Sequence, residues 1–141
     1  MKNAAPLSVR KESVQHELNT VKRLHNAGIP FLAGTDAPAG IGLLPGFSLH
    51  LELERFIAAG FTPLEALQTA TLNPAQFLGR QRDFGAVEKG KVADLILLDA
   101  NPLDDIRNTR RIRAVVANGQ YFPRESLDGI LTAVETEAKR Y

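Results

Sequence analysis

The chain has 141 residues, 44% hydrophobic and 23% charged, with Lys+Arg 17 against Asp+Glu 16 for a net charge of +1. That is enough for one soluble domain with its own core and argues against disorder, and it lacks the basic excess that a nucleic-acid binder gathers into a patch. There is no cysteine, which rules out a disulfide framework and a thiolate ligand or nucleophile, and no run approaches the ~20 apolar residues of a membrane span.

From the N-terminus, Met1 to Arg10 has no apolar run between Lys2 and Arg10, so it does not read as a secretory signal and a cytoplasmic protein is the default expectation. Val14, Leu18, Val21 and Leu24 fall on one face of a helix predicted over about 9–27 and stopped by Gly28. Ile29 to Gly34 is apolar on both faces and of strand length, as in a parallel strand buried on both sides. Gly34-Thr35-Asp36 then opens a loop whose apolar, glycine-rich continuation, Ala37 to Phe47, is expected to line part of a pocket.

A second helix is expected from about Ser48 to Ala59, ended by Gly60. Thr62-Pro63-Leu64-Glu65 is a capping box with proline at the first helical position and opens a third helix. Asn73-Pro74-Ala75-Gln76 repeats that grammar for a short fourth helix closed by Gly79. Beyond it the pattern changes to short strands, Val92 to Asp99, Ile112 to Ala117 and Gln120 to Phe122. The last two are joined by Asn118-Gly119, the best short hairpin signal, because both central residues of a type I′ turn need positive φ. A final helix, about 124–139, aligns Leu127, Leu131, Val134 and Ala138. Between the strands Arg107, Arg110, Arg111 and Arg113 form a basic run, read as a solvated turn rather than an anion site. Gly85 to Gly90 lacks the Gly-Lys-Ser/Thr ending and the following helix of a phosphate cradle.

One buried parallel strand needs neighbours on both edges and helices on both faces, and three short strands do not close a sandwich. Both halves therefore read as the ends of larger structures.

Several stretches carry a family resemblance. Ala27-Gly28-Ile29-Pro30 through Gly34-Thr35-Asp36, Ala59-Gly60-Phe61-Thr62-Pro63-Leu64-Glu65-Ala66-Leu67, Ala70-Thr71-Leu72-Asn73-Pro74-Ala75 and Leu78-Gly79 occur in order. They are followed by Gly85 to Leu95 and by Val115-Val116-Ala117-Asn118-Gly119. Over about Val21 to Phe122 the chain resembles the C-terminal part of a metal-dependent amidohydrolase, nearest the imidazolonepropionase-like and prolidase-like branch. The resemblance implies an α/β fold: the terminal strand and helices of a (β/α)8 barrel in 1–82, strands of its small β-sandwich in 83–123, and a C-terminal helix in 124–141. It also implies hydrolysis of a C–N bond by metal-activated water, with a divalent metal, zinc, as cofactor.

The family's ligands are a His-x-His pair on the first strand, a bridging ligand such as a carboxylated lysine, two later histidines and an aspartate ending the eighth strand. Asp36 matches that aspartate, as metal ligand and catalytic carboxylate. A carboxylate touching metal and water can take the attacking water's proton and pass it to the leaving nitrogen. Without the resemblance, Asp36 reads equally as a turn cap. His16, His25 and His50 form no His-x-His pair. His16 and His25 lie about 180° apart around their helix. His50, beside the glycine-rich loop, is a candidate contact for a substrate carboxylate, set against a plain first-turn histidine. Glu52 and Glu54 read as solvated helix positions, and Asp94 as a cap or partner near its strand.

Catalytic metal sites typically use about three protein ligands, so the chain is expected to be inactive alone. A second copy or a companion chain would supply the rest of the barrel around a small-molecule substrate, with no nucleic acid or membrane as partner. The rival reading is a non-catalytic assembly or folding module, truncated or one half of a split enzyme. A third is a small-molecule binder built on the same loop.

Overall fold

A computed structural model describes residues 7–37 and 43–140. The stretch Pro38 to Gly42 of the expected pocket loop, and most of the stretch considered as a signal, lie outside them. Four helices come first: α1 (Leu7–Asn26), α2 (Phe47–Ala58), α3 (Pro63–Thr69) and α4 (Leu72–Phe77). An antiparallel three-stranded sheet, ordered β1-β2-β3, follows with β1 (Leu95–Leu98), β2 (Ile112–Ala117) and β3 (Gln120–Pro123). A 3-10 helix, Ile106–Arg110, separates β1 from β2, and α5 (Arg124–Ala138) ends the described chain. Among the described residues, no helix is long and apolar enough to cross a membrane.

The helix ends follow local chemistry. At Gly60, φ is 102°, a conformation that glycine adopts without a Cβ penalty. There the Phe61 N–H donates to Phe56 O and the Gly60 N–H to Ile57 O, the paired bonds of a Schellman cap. Gly28 and Gly79 close α1 and α4 with the same pair of bonds. Thr62 opens α3 with the reciprocal capping box: its N–H donates to Glu65 Oε2 at 2.7 Å and its Oγ1 accepts from the Glu65 N–H at 3.3 Å. The Thr62 N–H and, next, the Thr62 hydroxyl, which donates to Glu65 Oε2 at 2.7 Å, favour the Glu65 carboxylate and hold its pKa below the usual value.

The second expected cap differs. The α4 helix begins at Leu72 with Thr71 as an N-cap whose side chain makes no capping bond; its Oγ1 donates back to Leu67 O at 2.9 Å. Asn73 instead reaches across the fold, its Nδ2 donating to Phe31 O at 2.9 Å. A long-range acceptor outcompetes the local capping geometry.

The core is built by Leu53 and Phe56 of α2 and Ala59 at its C-terminal cap with Phe61, Ala66 and Ile106, and Leu18, Val21, Phe31 and Ala33 pack around it. Phe31 meets Phe56 and Phe61 edge-on, with ring centroids 6.0 and 5.5 Å away, an arrangement favoured by the aromatic quadrupole. Ile106 joins this core from the 3-10 helix, where Thr109 is also buried. The basic run is therefore not simply a solvated turn. Its inner face packs, while Arg107, Arg110 and Arg113 pair with Asp105, Glu54 and Asp99.

The expected parallel strand is absent as a strand. Residues 29–35 are extended but hydrogen-bond to no neighbouring strand among the described residues. One side faces the core through Phe31 and Ala33, whereas Ile29 and Leu32 remain 49% and 40% exposed. Its backbone groups are taken up by the helices: Ala33 N–H donates to Thr69 O at 2.9 Å, and Phe31 O accepts from Asn73.

In the sheet, Leu95 pairs with Val116 and Val115 with Phe122, with an irregularity between Leu97 and Leu98. Asn118 and Gly119, at φ 51° and 75°, make the expected turn. Asp94 Oδ1 accepts the Asn118 N–H at 2.8 Å, tying β1 to the neighbouring hairpin. The amphipathic stripe of α5 finds no core: none of its residues is buried.

Candidate functional site

The extended segment delivers Gly34-Thr35-Asp36 to one side of a cleft of about 470 Å³ between α1 and α2. Val14, Leu18 and Val21 of α1 and Leu51 and Phe56 of α2 give it apolar walls, and Glu52 and Arg55 give it charge. Gly34 and Thr35 line it directly. Asp36, the next residue, is exposed and has φ 51°, the left-handed region that Asp and Asn tolerate better than other side chains. The local turn bond runs from the Ala37 N–H to Thr35 Oγ1 at 3.4 Å and does not involve the Asp36 carboxylate.

Glu52, read from the sequence as solvated, and Ser48, given no role there, belong to this site. Glu52 is not a solvated helix position: its Oε1 accepts the Gly34 N–H at 2.9 Å. One turn earlier on the same face, buried Ser48 accepts the Leu44 N–H on Oγ at 2.8 Å. Glu54 is likewise engaged, with Arg110. The signal available in the sequence was the Ser48/Glu52 spacing of four on a helix that follows a glycine-rich loop. Periodicity alone did not show what the two side chains face.

His50 is not among the residues lining the cleft. It lies half-buried against the 3-10 helix, with Nδ1 3.0 Å from Thr109 Oγ1. The Thr109 hydroxyl spends its one proton on Ile106 O at 2.8 Å, so Nδ1 must carry the proton given to Thr109, and Nε2 keeps the lone pair. Burial first, then the Arg110 charge, lower the His50 pKa from 6.5, against a smaller opposing pull from Glu54. His25 stacks on Phe61 with centroids 3.8 Å apart, its Nε2 3.8 Å from Glu65.

The His50 shift sets the sign of a pH effect. The unfolded imidazole titrates near 6.5 and the folded one lower. Between those values the unfolded chain binds more protons, so stability is complete above about pH 6.5 and falls as pH drops through the window, levelling below the folded pKa. His50→Asn, which keeps a donor toward Thr109, is expected to flatten this limb. Urea midpoints taken at steps from about pH 7.5 to 5 check it.

Among the described residues, no group of three or more His, Asp or Glu side chains is arranged to hold a metal. Asp36 alone does not make a catalytic metal centre, so the side chains described here do not fit such an ion by themselves.

The model of the amidohydrolase family matches residues 4–121. The chain belongs to the amidohydrolase family. It is 38% identical over 79 residues to the imidazolonepropionase of Geobacillus kaustophilus (strain HTA426), a stretch covering 55% of this chain and 18% of that protein. It is 40% identical over 91 residues to the ochratoxinase of Aspergillus niger, covering 63% of this chain and 18% of that one. The crystal structure of a Xaa-Pro dipeptidase with bound methionine in the active site superposes with a TM-score of 0.67 at 27% identity, over 75% of this chain and 25% of that chain. The amidohydrolase chain thus lies in the imidazolonepropionase-like and prolidase-like branch and has an α/β fold of that family. It matches about a fifth of the length of these curated relatives. The family is generally metal-dependent.

Proposed function

We propose that the chain is the C-terminal segment of an amidohydrolase that hydrolyses a non-peptide or dipeptide-like C–N bond, and that Asp36 is its contribution to the active site. The observation that carries this reading is the position of Asp36. It ends the extended segment beside a cleft, inside the family match, with its carboxylate uninvolved in the local turn bond. In this reading 1–82 is the end of the barrel, 83–123 belongs to the β-sandwich and 124–141 is an added helix. The extended segment, which pairs with no strand among the described residues, and the exposed apolar side chains of α5 support a chain that expects more polypeptide around it.

The metal of this reading is a divalent ion, zinc, held with ligands from polypeptide other than the residues described here. The chain is inactive on its own. Asp36 would hold and move a proton at its carboxyl oxygens. His50 could meet a substrate only through Nε2 as an acceptor, since its lowered pKa disfavours the cation that would bind a carboxylate. The second reading, an assembly or folding module without catalysis, is favoured by the lack of a three-ligand cluster among the described residues.

Metal analysis separates the two. The isolated chain is expected to hold far less than one equivalent of zinc. Co-expression with a polypeptide that supplies the rest of the barrel should bring stoichiometric metal and hydrolysis of N-acyl amino acids or dipeptides. A complex that forms but stays metal-free and inactive supports the assembly module. Tightly bound, stoichiometric zinc in the isolated chain overturns the single-ligand reading.

A further inference from the structure

The loop that bears Asp36 is held at both ends by one face of α2. Glu52 Oε1 takes the Gly34 N–H at 2.9 Å on its N-terminal side, and Ser48 Oγ takes the Leu44 N–H at 2.8 Å on its C-terminal side. The two residues are one helical turn apart, so the two anchors have a fixed spacing set by the helix. The helix itself is immobilised, because Leu53 and Phe56 are buried in the core cluster. The Glu52 bond is the stronger of the pair, since an ionised acceptor makes a bond roughly twice as strong as a neutral one.

We propose that Glu52 is a positioning residue for Asp36. By fixing the Gly34 amide, it sets the point from which the chain passes through Thr35 into the left-handed conformation of Asp36. Asp tolerates that conformation better than most residues with a Cβ but does not prefer it, so the bonds on either side of it help to select it. Two residues upstream, Ala33 is pinned independently by Thr69 O at 2.9 Å. Loss of the Glu52 bond therefore frees the chain only beyond Ala33, at Gly34, Thr35 and Asp36. The catalytic consequence rests on the role proposed above for Asp36; the clamp itself does not.

The test uses the full chain and needs neither metal nor turnover, so it can fail or succeed apart from the hydrolase reading. Glu52→Ala and Glu52→Gln are compared with wild type by NMR. Glutamine keeps an acceptor oxygen at the same reach. In Glu52→Ala the Gly34 amide is expected to exchange on the order of tenfold faster, while the Ala33 amide keeps its rate. The strong intraresidue amide–Hα NOE that a positive φ gives Asp36 should weaken. Glu52→Gln should restore both signals. A merely stabilising Glu52 would speed exchange at Ala33 and Gly34 alike and leave the Asp36 NOE unchanged, which overturns the proposal. So does a glutamine variant that behaves as alanine. If Glu52→Ala does not fold, Ser48→Ala with Glu52→Gln decides. An Asp36 NOE at wild-type strength there supports the glutamate position as the dominant anchor, and its loss overturns that.

Discussion

Gly85→Ala is expected to cost the chain roughly 2–4 kcal/mol, a large part of the ~5–15 kcal/mol that holds a domain folded. Two separate penalties add. The first is the backbone, at φ +91°, where an L side chain is strained. The second is a close approach: a Cβ at this position would lie 2.9 Å from Ala75 Cβ, 3.0 Å from Leu72 Cα and 3.1 Å from Thr71 O. Two of those three atoms are main chain and cannot swing aside, so α4 would have to move away from the segment that leads to the sheet. Gly90 supplies the control. Its φ is +92°, and nothing lies within 4 Å of its notional Cβ, so Gly90→Ala carries the backbone penalty alone, about 1–2 kcal/mol. Urea denaturation of both variants isolates the steric part as the difference. Equal losses would show that α4 does not sit against Gly85.

These two glycines mark where sequence reading works well and where it stops. Both fall in a stretch that the sequence shows only to lack the pattern of a phosphate cradle, and the fold alone shows that one of them faces a helix and the other open space. The helix limits were legible because their signals are local. Gly28, Gly60 and Gly79 close helices through bonds within one turn, and Thr62 and Glu65 cap each other across three residues. Asn118-Gly119 fixes its hairpin for the same reason. What failed depended on distant partners. Asn73 has the character of a cap but bonds to Phe31, 42 residues away. The 3-10 helix around Ile106 was hidden under its arginines, because burial of Ile106 and Thr109 depends on α2. The apolar run 29–34 has strand composition, but a strand is a property of a pair, and none of the three described strands pairs with it.

The site divides along the same line. Asp36 stood out because a polar turn follows an apolar run, and the family resemblance singled it out. Glu52 looked like any helix glutamate, since its partner is the backbone N–H of Gly34, 18 residues earlier. His50 was legible as a residue of interest but not in its direction, which is toward Thr109, 59 residues on.

Asp36→Asn is expected to lower turnover by the completed enzyme about 10²–10⁴-fold, the usual worth of a positioned proton-transfer group, while leaving the fold in place. The substitution suits the question for a structural reason. Asparagine matches aspartate in shape and, like it, tolerates the left-handed conformation observed at φ 51°. Backbone strain is therefore unchanged and the side chain loses only its charge and its capacity to take a proton. Asp36→Ala would confound the two, because alanine at positive φ adds strain to the chemical loss. The comparison is of kcat and thermal midpoint for wild type and Asp36→Asn, each assembled with a polypeptide that supplies the rest of the barrel. A large fall in kcat at an unchanged midpoint ties the chemistry to this carboxylate. A variant that assembles, keeps its midpoint and hydrolyses its substrate at the wild-type rate removes Asp36 from the reaction. The chain would then serve the enzyme only through the surfaces it offers to the rest of the fold.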